Sequence, residues 1–132
     1  MKRILIIGAS GGIGTALTQA ARGQNVEMVT LARSRDGFDI TDEASVKSHL
    51  GALDGTFDTI IVASGALEID GAQPEKSIRS LTQKAMMDQF ALNAVGPALV
   101  LAHAADLLPK DRRAVFAVLS LSLIHISEPT RP

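Results

Sequence analysis

Apolar residues fall along this chain in blocks of two kinds, short continuous runs and longer stretches at helical spacing. Arg3–Ile7, with Ile4, Leu5, Ile6 and Ile7 consecutive, predicts a buried strand. Gly12–Arg22 predicts a helix closed by Gly23, and Val26–Leu31 predicts a second strand. Phe38–Ile40 suits a short third strand, followed by a helix over Asp42–Leu50 with Thr41 as its N-cap and Gly51 just beyond its end. Phe57–Val62 is apolar on both faces, as a strand in the middle of a parallel sheet must be. The polar stretch Glu68–Ser80, holding Gly71 and Pro74, reads as loop; Leu81–Leu108 reads as one long helix, and Ala114–Leu119 as a further strand. This alternation predicts an α/β domain: a parallel sheet with helices on both faces, joined by right-handed crossovers.

Length and composition narrow the picture to one domain. A chain of 132 residues, 46% hydrophobic, can bury one substantial core and is too short for two ordinary ones. With 13 basic and 14 acidic residues it carries a net charge of −1, which offers no field for nucleic acid or anionic lipid. The absence of cysteine excludes disulfides, thiolate metal sites and a cysteine nucleophile, and fits a reducing compartment. His49, His103 and His125 are too dispersed for a metal motif, so no metal is expected. The apolar run after Met1, Lys2 and Arg3 is broken at Gly8, too soon for a secretory signal. Ala114–Ile126, interrupted by Ser120, Ser122 and His125, is shorter than the ~20 residues of a membrane helix. A soluble, cytoplasmic protein with neither a nucleic-acid nor a membrane partner is expected.

The chemistry concentrates where the first strand meets the first helix. Gly8, Ala9, Ser10, Gly11, Gly12, Ile13 and Gly14 put four glycines into seven residues, so N–H groups can approach an anion without a Cβ in the way. The helix that follows presents its positive N-terminal end to the same place. In a parallel sheet the ligand lies across the carboxyl ends of the strands, where this turn also lies. Gly8, Ser10, Gly11, Gly12, Ile13 and Gly14 are therefore expected to cradle the phosphates of a nucleotide. The end of the second strand bears on which nucleotide. NAD readers place an acid there, about 20 residues past the glycine turn, to bond the ribose 2′-hydroxyl. This chain has Leu31, Ala32, Arg33, Ser34 and Arg35 instead, and a guanidinium suits a 2′-phosphate, which favours NADP over NAD. Arg33 and Arg35 are equally compatible with solvated loop charges.

The glycine spacing, G-x-x-x-G-x-G over Gly8, Gly12 and Gly14, resembles that of the short-chain dehydrogenase/reductase family. Three other stretches carry the same resemblance. Phe38-Asp39-Ile40-Thr41-Asp42 is similar to the family's adenine-contacting D-[VIL]-x-D segment, Ala63-Ser64-Gly65 stands where the family has N-A-G, and Asn93-Ala94-Val95-Gly96 matches its N-x-x-G. The resemblance covers residues 3 to about 120. It implies a Rossmann-type, doubly wound, three-layer α/β/α domain over residues 1–120, incomplete at its C-terminal side. It also implies hydride transfer between a nicotinamide and a carbonyl or hydroxyl substrate, in a parent enzyme that is a homo-oligomer. Asp39 could accept a hydrogen bond from the adenine amino group while the Ile40 backbone reads the ring edge; alternatively, Asp39 and Asp42 only favour the start of the next helix. Ala63, Ser64 and Gly65 let backbone pass close to a ribose, or form an ordinary turn; the family's asparagine is missing there. Pro97 cannot donate to the Asn93 carbonyl, so the helix should kink. In the family that carbonyl holds a water of the proton relay, and packing alone could also explain the kink.

The family's catalytic tyrosine, in Tyr-x-x-x-Lys, has no counterpart, because the chain contains no tyrosine. Ser120 stands near the place of the family's catalytic serine and, with Asn93, is the remaining catalytic candidate. Without a phenol to exchange a proton the chain as it stands should be inactive. Leu121–Pro132 resembles translated sequencing adapter, so residues 121–132 are read as a non-native tail. A non-catalytic nucleotide sensor of the same fold is the alternative, since Gly8, Gly11 and Gly14 also satisfy the G-x-x-G-x-x-G of relatives that bind without turnover. Amplification of the source locus is expected to show a frame running past Ser120 into Tyr-x-x-x-Lys; a genomic stop after Pro132 would overturn that expectation.

Overall fold

Strand β1 (Lys2–Ile7) lies inside the sheet of this computed structural model, which describes residues 2–64 and 81–119. Its three last residues, Leu5, Ile6 and Ile7, are fully buried, so both faces of the strand are covered. On one side it pairs in parallel with β2 (Val26–Leu31), Ile7 opposite Leu31; on the other with β3 (Thr59–Val62), Ile7 opposite Val62. Beyond β3 lies β4 (Val115–Val118), giving the order β2-β1-β3-β4 among the described residues. The chain thus leaves β1 toward one edge and later returns past it toward the other. Right-handed crossovers then put α1 (Gly12–Ala21) on one face and the helices after β2 on the other.

The main core lies between the sheet and that second set of helices. Leu5, Ile7, Ile60 and Val62 from the strands meet Val46 and Leu50 of α3 (Glu43–Gly51) and Val100 and Ala104 of α5 (Gly96–Ala104). Phe57 closes the core at the amino ends of the strands. Its ring lies 4.4 Å beneath the Arg3 guanidinium, and its N–H donates to the Leu107 carbonyl at 2.7 Å. Arg3 Nη1 donates to the Asp54 and Thr56 carbonyls, at 2.9 and 3.0 Å, and its Nε pairs with Glu27 at 2.9 Å. The Asp58 carboxylate accepts from the Arg3 N–H and the Arg112 Nε, both at 2.9 Å, and these partners hold it below the usual aspartate range. This end of the sheet is stapled by charge, and the glycine turn lies at the opposite end.

Three expectations need correction. Phe38–Ile40 is not a strand: β2 is followed by the short helix α2 (Arg33–Asp36), and Gly37, at φ 68°, turns the chain so that Phe38 and Ile40 enter the core. The Asp39 N–H goes to the Ser45 hydroxyl at 3.0 Å rather than to a neighbouring strand. The N-cap of α3 is Asp42, which accepts from the Ala44 N–H at 3.1 Å, because Thr41 is turned back onto Asp39; Gly51 is the helix's last residue, not the one beyond it. The long helix is not uniform. It runs as α4 (Gln83–Phe90), one wide π turn over Ala91–Val95, α5, and a 3₁₀ turn over Ala105–Leu107. The remaining strand and helix bounds agree to within two residues, and the Glu68–Ser80 loop lies outside the described residues.

By length and composition Gln83–Leu107, with a mean hydropathy of 1.4, could cross a membrane. Here its Val100, Ala104 and Leu107 enter the core against the sheet, while Met87, Phe90 and Leu101 are exposed, as are Val115 and Val118 of β4. Phe57→Ala is expected to lower the unfolding free energy by about 3–5 kcal/mol, read from urea denaturation, since it empties a fully enclosed aromatic site.

Candidate functional site

The glycine turn is built by close backbone approach. Gly8, at φ 86°, sits so near β3 that a Cβ there would lie 2.7 Å from the Ser64 backbone nitrogen and 2.9 Å from the Ala63 carbonyl carbon. A Cβ on Gly14 would fall on the Gly8 carbonyl oxygen. Both positions require glycine for internal reasons. Among the described residues a Cβ at Gly12 would meet nothing within 4 Å, so its glycine is not required by the protein's own packing. The turn is anchored by Gly8 N–H donating to the Leu31 carbonyl at 2.8 Å and by the Thr15 hydroxyl on the Ala9 carbonyl at 3.2 Å. No side chain among the described residues caps α1, whose N-cap is Gly11 and whose first turn has no acid. Ser10, Gly11 and Gly12 are exposed; the Gly11 N–H donates to the Gly8 carbonyl at 3.2 Å, and the amides from Gly12 onward in the first turn have no acceptor within the helix.

Beside this turn, at the carboxyl ends of the strands, is a cavity of about 200 Å³. The glycine turn contributes Gly8, Ser10 and Gly11; the end of β3 contributes Ala63 and Ser64; the far wall is Arg33 together with Phe38–Thr41, and Leu92 of the wide turn closes it. Arg33 and Arg35 therefore part company. Arg33 lines the cavity, whereas Arg35 reaches back along β2 to the Thr30 hydroxyl at 3.3 Å.

Asp39 lines the cavity, but its carboxylate is folded onto its own loop. Oδ1 accepts from the Thr41 hydroxyl at 2.6 Å and the Thr41 N–H at 3.0 Å. The Thr41 hydroxyl bond holds the Asp39 carboxyl below its ordinary value, burial opposes this, and the Thr41 N–H and the Arg33 charge add to the lowering. A lowered carboxylate stabilises the fold fully above its ordinary value of 3.8 and loses that contribution as pH falls through the lowered one.

The wide turn in the long helix meets this wall directly. The Gly96 N–H donates to the Ala91 carbonyl five residues back, and a Cβ on Gly96 would come within 2.8 Å of the Ile40 Cγ1. Pro97, buried in the first turn of α5, has no N–H to continue the ladder, so the widening occurs where the proline interrupts it. Asn93 is exposed and does not line the cavity; its neighbour Leu92 does.

Comparison with solved structures places this arrangement. A small-chain dehydrogenase superposes with a TM-score of 0.75 at 22% identity, over 89% of this chain and 58% of its own. A small-chain dehydrogenase in complex with NADPH gives the same TM-score, 0.75, and identity, 22%, over 89% of this chain and 49% of its own. A short chain dehydrogenase family protein from Francisella tularensis subsp. tularensis SCHU S4 gives 0.71 at 17% identity, over 98% of this chain and 55% of its own. The chain has the short-chain dehydrogenase fold. It spans about half the length of these neighbours, from 49% to 58%. No family model matches the sequence, and no curated protein does.

On this fold the structure gathers Gly8, Ser10, Gly11, Arg33, Asp39, Ile40, Ala63 and Ser64 around one cavity. Gly12, Ile13 and Gly14 belong to the adjoining helix start and do not line it, and Gly65 and Ser120 lie outside the described residues. Sequence reasoning missed three lining residues. Phe38 was hidden by the expected strand and Thr41 by the expected cap, while Leu92 had no signal beyond its place beside Asn93. Among the described residues no three His, Cys, Asp or Glu side chains gather as a metal site would require. Thr41→Val removes the hydroxyl donor and is expected to raise the Asp39 pKa toward its ordinary 3.8, measured by carboxyl-carbon NMR titration.

Proposed function

We propose that the cavity binds NADP and that the chain is the cofactor-binding part of a short-chain dehydrogenase/reductase acting on a carbonyl or hydroxyl compound. The observation that carries this reading is the pairing, in one cavity, of the glycine turn at one end with the Arg33 guanidinium and the Asp39–Ile40 segment at the other. That is the layout a dinucleotide half needs: phosphate at the amides of a helix start, ribose phosphate at a cation, and adenine against an apolar wall. The open space at Gly12 supports it, since glycine there serves an approaching ligand rather than internal packing. The Ser64 hydroxyl, in place of the family's alanine, adds a polar group to the same wall.

The bound nicotinamide would supply or accept the hydride. Among this chain's residues, Gly12 and Ile13 would hold the phosphates by their amides, and Arg33 the 2′-phosphate. Asn93 and Ser120 are the candidates for the proton relay and for substrate positioning. The 132 residues contain no tyrosine, so the group that exchanges a proton with substrate must come from elsewhere in the parent enzyme. The same absence favours, as a second reading, a nucleotide-binding role without turnover. The exposed Met87, Phe90 and Leu101 support a homo-oligomeric parent, and the balanced charge and absence of cysteine support a cytoplasmic one.

Calorimetric titration separates these points. Wild type should bind NADPH more tightly than NADH; Arg33→Ala should weaken NADPH by roughly ten- to a hundredfold, the range of a charge-assisted pair. NADH binding should barely change, and Arg35→Ala should leave both affinities near wild type. Tighter binding of NADH by the wild-type chain would sink the NADP assignment.

A further inference from the structure

The segment from Gly37 to Asp42 forms the far wall of the cavity, and one side chain fastens it from both sides. His49, in the last turn of α3, sets Nδ1 2.8 Å from the Ser45 carbonyl oxygen and Nε2 2.9 Å from the Asp36 carbonyl oxygen. Both oxygens can only accept. A neutral imidazole has one N–H: with it on Nε2 the Asp36 bond is kept and Nδ1 can accept only from the Ser45 hydroxyl, 3.3 Å away, with its lone pair against the nearer Ser45 carbonyl, whereas the imidazolium donates to both carbonyls. The rest of the wall hangs on the same group. The Ser45 hydroxyl accepts the Asp39 N–H at 3.0 Å, and the Phe38 ring stands edge-on to the imidazole, with centroids 5.4 Å apart at 83°.

We propose that His49 is a positioning residue for the nucleotide: as the imidazolium it ties the end of α2 to α3 and so sets Phe38, Asp39 and Ile40 in the cavity wall. The proposal rests on the nucleotide reading above and adds a dependence on protonation to it. The groups around the ring agree. The two carbonyl acceptors raise the His49 pKa above its ordinary 6.5, partial burial opposes them, and the Asp36 charge on α2 adds to the rise. Its place in the last turn of α3 favours the cation as well. From the loop the ring meets the uncharged Phe38. On α5 the titratable residue is His103, whose Nε2 lies 3.2 Å from Glu43, in the first turn of α3 at the other end of that helix. Because the folded-state pKa is raised, the doubly donating form is fully present below 6.5 and is lost as pH rises through the raised value, leaving one ring N–H for two carbonyls and a weaker tie.

The test uses the full 132-residue chain and NADPH. NMR titration of the imidazole signals should give His49 a pKa above 6.5, and calorimetry should show NADPH affinity falling roughly three- to tenfold between about pH 6 and about pH 8.5. His49→Gln has an amide that donates but cannot titrate. Its affinity should be weaker at low pH, and the ratio of its Kd to that of wild type should shrink toward one at high pH. That ratio separates the histidine from the titration of the cofactor's own phosphate. A ratio constant across pH, or a His49 pKa at or below 6.5 in the unaltered chain, overturns the proposal while leaving the nucleotide reading standing. Absence of NADPH binding at every pH overturns the nucleotide reading and the positioning role with it.

Discussion

The contact on which this structure depends is between two glycines. Gly14, in the first turn of α1, is pressed against the carbonyl of Gly8 at the end of β1, and Gly8 is itself pressed against the backbone at the end of β3. No side chain can stand at either place. These approaches let the central strand turn abruptly into a helix while its neighbour passes within van der Waals reach, and they leave the first amides of α1 at the mouth of the cavity. A bulkier residue at Gly14 would push α1 off the end of β1, and one at Gly8 would push the turn off the end of β3, dissolving the site even with every strand still paired.

The two ends of the sheet are secured by different physics. At the amino ends, Arg3, Asp58, Glu27 and Arg112 form a cluster of ion pairs and charge-assisted hydrogen bonds around the buried Phe57 ring. Each ion pair has an exposed partner, Glu27 or Arg112, so the burial of Phe57, Leu5 and Ile60 stabilises this end more than the pairs do. At the carboxyl ends there is little such redundancy. The wall of the cavity is a short loop held by Thr41 on Asp39, by Ser45 on the Asp39 N–H, and by His49 on two carbonyls. A few polar contacts there hold what many apolar contacts hold elsewhere, and two of the groups that make them, Asp39 and His49, are titratable.

Much of the architecture was legible because it rests on local patterns. The run at Ile4–Ile7 is continuous and apolar, as an interior parallel strand requires, whereas Val26–Leu31, broken by Glu27 and Thr30, is the edge strand beside it among the described residues. Phe38–Ile40 misled because two buried apolar residues flanking a polar one imitate a strand; the decisive Gly37 turn and the Ser45 hydroxyl belong to other elements. The π turn was only half visible. Pro97 announces an interruption, but that the chain widens there, with Gly96 packed so close to Ile40 that no Cβ would fit, is visible only in the structure.

By itself, then, the sequence determined the order of strands and helices, the glycine turn between the first two, and the absence of a tyrosine, since these follow from local periodicity, backbone sterics and composition. Only the tertiary structure decided which of two nearby arginines faces the cavity, that Asp42 caps a helix while Asp39 folds onto Thr41, and that Leu92 rather than Asn93 lines the site. Those outcomes depend on the direction in which each side chain leaves its backbone. That direction is not encoded by apolar periodicity: Asp39, Asp42 and Arg35 bond groups only two to five residues away, but which polar neighbour each takes is fixed once Phe38 and Ile40 are packed into the core.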